Sequence, residues 1–174
     1  MKKRSRLQQS EAGFTLLEML VVVIMIGVLS AIAVPGWLAF LNQQRLSSAR
    51  NKALTSLRNA QVNAQRDKLR WQACFRDDGN QVLFSVERVP SDSNCQMTNG
   101  ESLIENSNSI KILSSTFAQA PSGYYRIRFN HDGSVDGELG KITFAPRNGN
   151  APKSCVIVET LLGSMRSVKD DKCD

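Results

Sequence analysis

Histidine is almost missing from this chain, with His131 standing alone among 174 residues. A general base or a histidine-bound metal therefore has one candidate, and it lies in Asn130-His131-Asp132-Gly133, a run that favours a turn. Also missing are a phosphate-cradling glycine loop, a paired-histidine zinc motif and a nucleophile elbow. Asp77-Asp78-Gly79-Asn80 has the acidity of a calcium loop but neither its alternating ligands nor its distal glutamate, so it reads as a hairpin turn. These gaps argue against an enzyme, and no cofactor or metal is expected.

Charge is missing from one long stretch. Between Phe14 and Leu41 lie 28 residues with a single formally charged side chain, Glu18. As a helix that stretch is about 42 Å long at roughly 1.5 Å per residue, enough to cross a hydrocarbon core of about 30 Å. A carboxylate inside such a helix costs roughly 2.5–3.5 kcal/mol and calls for a partner. Cleavage after Gly13 supplies one, because the new α-amino group of Phe14, with a pKa of about 7.7–8.0, is mostly cationic at neutral pH. Two plainer readings fit less well. A secretory signal cut near Ala31-Ile32-Ala33 has an apolar core of only about 7–15 residues, and a simple membrane anchor leaves Glu18 unexplained.

The residues Lys2-Lys3-Arg4 and Arg6, followed by Gly13-Phe14-Thr15-Leu16-Leu17-Glu18-Met19-Leu20, resemble the type III signal of the type IV pilin superfamily. The resemblance implies that a prepilin peptidase cuts after Gly13, that Phe14 becomes N-methylated, and that Glu18, at mature position five, guides docking into a growing filament. Pro35 matches that family's proline at mature position 22. With Gly36 it is expected to kink or loosen the helix near Ala31 to Gly36.

Removal of residues 1–13 leaves 161, a length suited to one domain with one core. The net charge of +6 is half leader, where four cations face Glu11, so the mature chain carries only +3. Basic residues ahead of a spanning segment stay cytoplasmic. The expected topology is single-pass in a bacterial inner membrane with a periplasmic head, which later enters a pilus or pseudopilus. Cys74, Cys95, Cys155 and Cys173 all follow the apolar stretch and show no zinc-like spacing. In an oxidising compartment they form disulfides. Three pairings are open to four cysteines; Cys74–Cys95 and Cys155–Cys173 are preferred because each closes a short local loop.

The periodicity predicts a transmembrane half-helix over 14–41, an amphipathic half over 42–70 and a β-rich head over 71–174. Leu46, Ala49, Ala53, Leu57, Ala60 and Ala64 recur at steps of three or four and form the inward stripe. Arg45, Lys52, Asn59, Gln61 and Arg66 fall elsewhere on the circumference. Beyond residue 70 the period becomes two. Trp71–Phe75 and Gln81–Val89 read as a hairpin, Ser91–Ser109 as a long loop fastened at Cys95, and strands follow at 110–116, 124–130, 141–145, 155–160 and 165–168. The expected class is α+β, one long helix packed on a head of about seven short strands.

Phe129-Asn130-His131-Asp132-Gly133-Ser134, Cys155-Val156-Ile157-Val158 and Gly163-Ser164-Met165-Arg166 resemble the C-terminal part of the GspH/FimT group of minor pilins and pseudopilins. That resemblance implies two antiparallel sheets packed on the helix. It also implies partners: other minor and major pilins or pseudopilins, a prepilin peptidase and an inner-membrane assembly platform. The implied role is to initiate or cap a type IV pilus or type II secretion pseudopilus. Some members of the group end in a Gly-Arg-x-Arg motif implicated in DNA uptake; here Ser164 replaces the first arginine, leaving Gly163 and Arg166.

DNA binding by the head is the alternative reading. Arg126 and Arg128 alternate with apolar residues and so share a strand face, and Arg147, Lys153, Arg166 and Lys169 follow on later loops or strands. Together they could neutralise phosphates. A mature charge of only +3 is a weak footprint for that task.

Overall fold

A computed structural model describes residues 13–92, 94–97, 100–105, 107–120 and 122–173; the side chains of Val34, Pro35 and Ser107 also lie outside the description. The leader cations Lys2, Lys3, Arg4 and Arg6 are outside it too. The chain divides into two compact units, residues 1–39 and 40–174.

One helix, α1 (Leu16–Asp67), contributes to both. The Ala31–Gly36 stretch, for which a kink or loosened turn is expected, lies within its bounds. In the first unit the described side chains are exposed. They are overwhelmingly apolar, which leaves a helix long and apolar enough to cross a membrane. The helix ends at Asp67, where Lys68 takes a positive φ of 55°, a left-handed residue of the kind that stops helices.

In the second unit Leu46, Ala49, Ala53, Leu57, Ala60 and Ala64 are all at most 1 % exposed. The predicted stripe is therefore the helix's contact with the head. Four of its six members are alanine, and small side chains let the helix backbone sit close to the strands it covers.

Among the described residues the head has nine strands: β1 (Trp71–Asp77), β2 (Val82–Arg88), β3 (Glu101–Ser102), β4 (Ile110–Ser115), β5 (Ala118–Gln119), β6 (Tyr125–Phe129), β7 (Gly140–Pro146), β8 (Ser154–Val158) and β9 (Met165–Lys169). They form two antiparallel sheets, ordered β3-β2-β1-β6-β5 and β4-β7-β8-β9. Seven of the nine strands are legible in the alternation. The two-residue β3 and β5 are too short to show a period of two. β3 and a single 3-10 turn at Ser107–Ser109 occupy part of what reads as a structureless loop.

One hydrophobic core lies among the stripe and both sheets. The first sheet supplies Ala73, Phe75, Val82, Phe84, Ile127 and Phe129; the second supplies Ile110, Ile142, Phe144, Val156 and Val158. Disulfides join Cys74 to Cys95 and Cys155 to Cys173. The first fastens the segment after β2 across the outer face of β1, and the second fastens the C-terminal 3-10 turn, Asp170–Cys173, to β8.

Candidate functional site

Thr15 caps the start of α1. Its Oγ1 accepts the Glu18 N–H at 3.2 Å, and its carbonyl oxygen accepts the Met19 N–H at 3.3 Å. Thr15-Leu16-Leu17-Glu18 thus has the Thr-x-x-Glu spacing of a capping box. Glu18 sits in the first turn, where the helix dipole favours a negative charge. The cap explains why a carboxylate is tolerated at the beginning of this helix, yet it leaves Glu18 exposed among exposed Phe14, Leu16, Leu17, Met19 and Leu20. A Cβ added to Gly13 would meet nothing within 4 Å. Among the described residues no close approach demands glycine there.

The head meets the helix through two amides that the pattern of apolar residues places on the polar circumference. Gln61 Nε2 donates to the carbonyl oxygens of Gly133 at 2.9 Å and Leu162 at 3.2 Å, and Gln65 Nε2 donates to that of Asp132 at 3.1 Å. Both glycines have positive φ, 85° at Gly133 and 80° at Gly163. A Cβ at Gly133 would come within 2.2 Å of Gln65 Nε2, and one at Gly163 within 2.2 Å of Gln61 Nε2. Two of the three segments that resemble the GspH/FimT group thus contain the turns that lie against the helix. Gln61 and Gln65 carry no apolar signal, which is why periodicity passes over them.

The six cations singled out for DNA binding are spread over β6 of one sheet, β9 of the other and the connection between β7 and β8. Arg126 and Arg128 do share the outer face of β6, opposite buried Ile127 and Phe129. Arg128 is 3.6 Å from Asp136, which Arg70 also approaches at 3.4 Å. Arg147 is held by Asp77 at 2.9 Å and by the carbonyl oxygen of Ile110 at 2.8 Å. Arg166 pairs with Glu159. The Lys153 backbone N–H donates to Asp170 at 3.2 Å, and Lys169 is an exposed residue of β9. Among the described residues, Arg126 has two guanidinium nitrogens, Nε and Nη1, buried without an acceptor, where Arg147 has one, Nε. Burial, and then repulsion from Arg128, pushes the pKa of Arg126 down from the usual arginine range.

Asp77, read from sequence as part of a turn, is the last residue of β1 and ties the two sheets together. Its Oδ1 accepts from Arg147, and its Oδ2 accepts the Ile112 N–H of β4 at 3.0 Å. Asp78 makes the turn itself, accepting the N–H groups of Gln81 at 2.6 Å and Asn80 at 2.8 Å, which hold its pKa below the usual carboxylate range. Asp132 is lowered likewise by the Ser134 hydroxyl and then the Ser134 N–H.

Among known proteins, residues 8–34 match the family model for the prokaryotic N-terminal methylation motif, and residues 43–162 match that for the type II transport protein GspH. A type IV major pilin protein, PilA of Myxococcus xanthus, is 36 % identical over 84 residues, covering 48 % of this chain. The match takes in 36 % of that relative, so this chain spans about a third of its length. Two crystal forms of the type IV minor pilin FimU of Pseudomonas aeruginosa share the fold, with TM-scores of 0.55 and 0.51 and sequence identities of 12 % and 11 %. They cover 78 % and 74 % of this chain and 96 % and 95 % of their own.

Proposed function

The chain belongs to the GspH family of the type IV pilin superfamily, a family of structural subunits, and from that premise we propose that it is a minor subunit that helps initiate or cap a type IV pilus or a type II secretion pseudopilus. The observation that carries the reading is Glu18 in the first turn of a helix whose first part, up to Leu41, has no other charged side chain and leaves its described apolar residues, Leu16 to Phe40, exposed. In this reading a prepilin peptidase cuts between Gly13 and Phe14 and Phe14 is methylated. The freed amine, on its own subunit or a neighbour's, answers the Glu18 carboxylate. Before assembly the helix sits in the inner membrane with the head on the periplasmic side. It then leaves through an assembly platform to pack with other pilins or pseudopilins.

Pairing energetics give Glu18 its role in register. An ion left without its partner in a low-dielectric bundle costs several kcal/mol, far more than a misplaced leucine. Gly13→Ala is expected to leave the leader attached, read by intact mass. Glu18→Val is expected to be cleaved normally yet to be depleted from sheared filaments. Unimpaired cleavage of the first variant, or normal incorporation of the second, contradicts the reading.

A second reading, DNA binding by the head, draws on Arg126, the half-buried guanidinium whose Nε and Nη1 have no acceptor among the described residues, beside Arg128. Titration of the purified chain with duplex DNA at several salt concentrations tests it. Binding that weakens steeply with salt and is lost in Arg126→Ala supports it, whereas salt-independent or absent binding removes it.

A further inference from the structure

Cys74, Glu87 and Cys95 come from three separate segments, β1, β2 and the stretch that follows β2. Among the described residues their two sulfurs and a Glu87 carboxylate oxygen lie within 4.8 Å of one another. No sequence pattern announces the group, since 21 positions separate the cysteines. The carboxylate is already oriented. Glu87 Oε1 accepts from Gln72 Nε2 at 2.9 Å and from the Gln96 N–H at 2.9 Å, and lies 3.8 Å from Cys74 Sγ. Glu87 Oε2 lies 3.4 Å from the Ser85 hydroxyl. Gln72 is fully buried, and among the described residues its Oε1 has no donor although its Nε2 has two acceptors, Glu87 and the Asn94 carbonyl oxygen. A buried amide oxygen left over beside a half-buried carboxylate and two sulfurs is chemistry that a disulfide alone does not use.

We propose that when this disulfide is reduced, the same three residues bind one soft or borderline divalent cation of the zinc type. An external dithiol gives two electrons and two protons to the Cys74–Cys95 bond and itself becomes a disulfide, leaving two thiols. The cation displaces both thiol protons and is held by two thiolates and the Glu87 carboxylate. A fourth position is then open to water, the ligand count of an open zinc site. Gln72 and the Gln96 N–H act behind Glu87 as the groups that fix its direction. Disulfide and metal exclude each other, and either one holds Cys95 and its segment against β1. Cys155 and Cys173 offer an internal control, because among the described residues no third ligating side chain joins them in such a group.

The test uses the full chain in detergent micelles, reduced with a phosphine so that no added thiol competes for metal, and titrated with Zn2+ against a chromophoric chelator. A Cys155→Ser/Cys173→Ser variant is expected to take up one equivalent when reduced and none when oxidised. Cys74→Ser or Cys95→Ser is expected to abolish this. Glu87→Gln keeps the acceptor for Gln72 and Gln96, and is expected to weaken binding roughly tenfold or more. Unfolded thiols would bind without regard to residue 87, so equal affinity in Glu87→Gln overturns the proposal. So does uptake by the oxidised chain, absence of uptake on reduction, or loss of fold on reduction that Zn2+ does not restore by circular dichroism.

Discussion

Gln61 and Gly163 fit one another in a way that leaves no room for a side chain at the glycine. The amide nitrogen of Gln61 would lie 2.2 Å from a Cβ at Gly163, and it donates to the carbonyls on either side of that space, at Gly133 and Leu162. Helix and turns are therefore packed backbone to side chain. The glycine's positive φ and its missing Cβ serve the same contact.

Gly163→Ala is expected to cost about 2 kcal/mol or more, combining left-handed backbone strain of about 1–2 kcal/mol with the overlap. Gln61→Ala alone loses hydrogen bonds of about 1 kcal/mol each. In the double variant the overlap disappears, so its destabilisation is expected to fall below the sum of the singles. Urea denaturation of the purified chain measures the cycle, and strict additivity would show that the close approach carries no energy.

Asp77 and Arg147 give a second cycle. The pair is only about a fifth to a quarter exposed, with side-chain values of 20 % and 24 %, and it joins β1 of one sheet to β4 and β7 of the other. Arg147→Ala is expected to lower stability by roughly 1.5–3 kcal/mol, the range for hydrogen bonds to charged groups. It should not change any affinity for DNA. The outcome that contradicts this assignment is unaltered stability together with lost DNA binding.

Each disulfide closes a local loop, with sequence separations of 21 and 18. Chain-entropy reasoning assigns about 3 kcal/mol to each. Paired serine substitutions at Cys74/Cys95 and at Cys155/Cys173 are expected to lower the urea midpoint by comparable amounts. A much smaller loss at either pair means that the reduced, unfolded chain is already constrained there.

Acid should weaken the head in a defined window. Asp78 and Asp132 have folded-state pKa values below the ordinary value of about 3.9, because N–H and hydroxyl donors favour their charged forms. A depressed carboxylate contributes stability above its unfolded pKa and loses it as pH falls through the folded value. The thermal midpoint is thus expected to be insensitive to these two groups above about pH 5 and to decline below about pH 4. Asp132→Asn should make that acid limb shallower. An unchanged limb in the Asp78→Asn/Asp132→Asn variant contradicts the assignment.

The helix is legible in the sequence because its signals are local. The stretch from Phe14 to Leu41, with Glu18 as its single charge, and the Leu46-to-Ala64 stripe are each defined locally along one helix, and the stripe residues are those the fold buries. β1, β2, β4 and β6–β9 are legible from alternation for the same reason. β3 and β5 are not, since two residues cannot display a period.

What sequence alone determined is a membrane-length helix with a lone acid near its start, an inward face of small residues and a β-rich head in antiparallel strands. What tertiary structure decided is which distant groups meet: Arg147 with Asp77 rather than with open solvent, Gln61 with the two glycine turns, and Glu87 with a pair of cysteines. The physical reason is range. Periodicity and capping act over a few residues, whereas ion pairing and amide docking depend on sheet order and register, which close contacts across 70 or more positions and leave no mark in any short window.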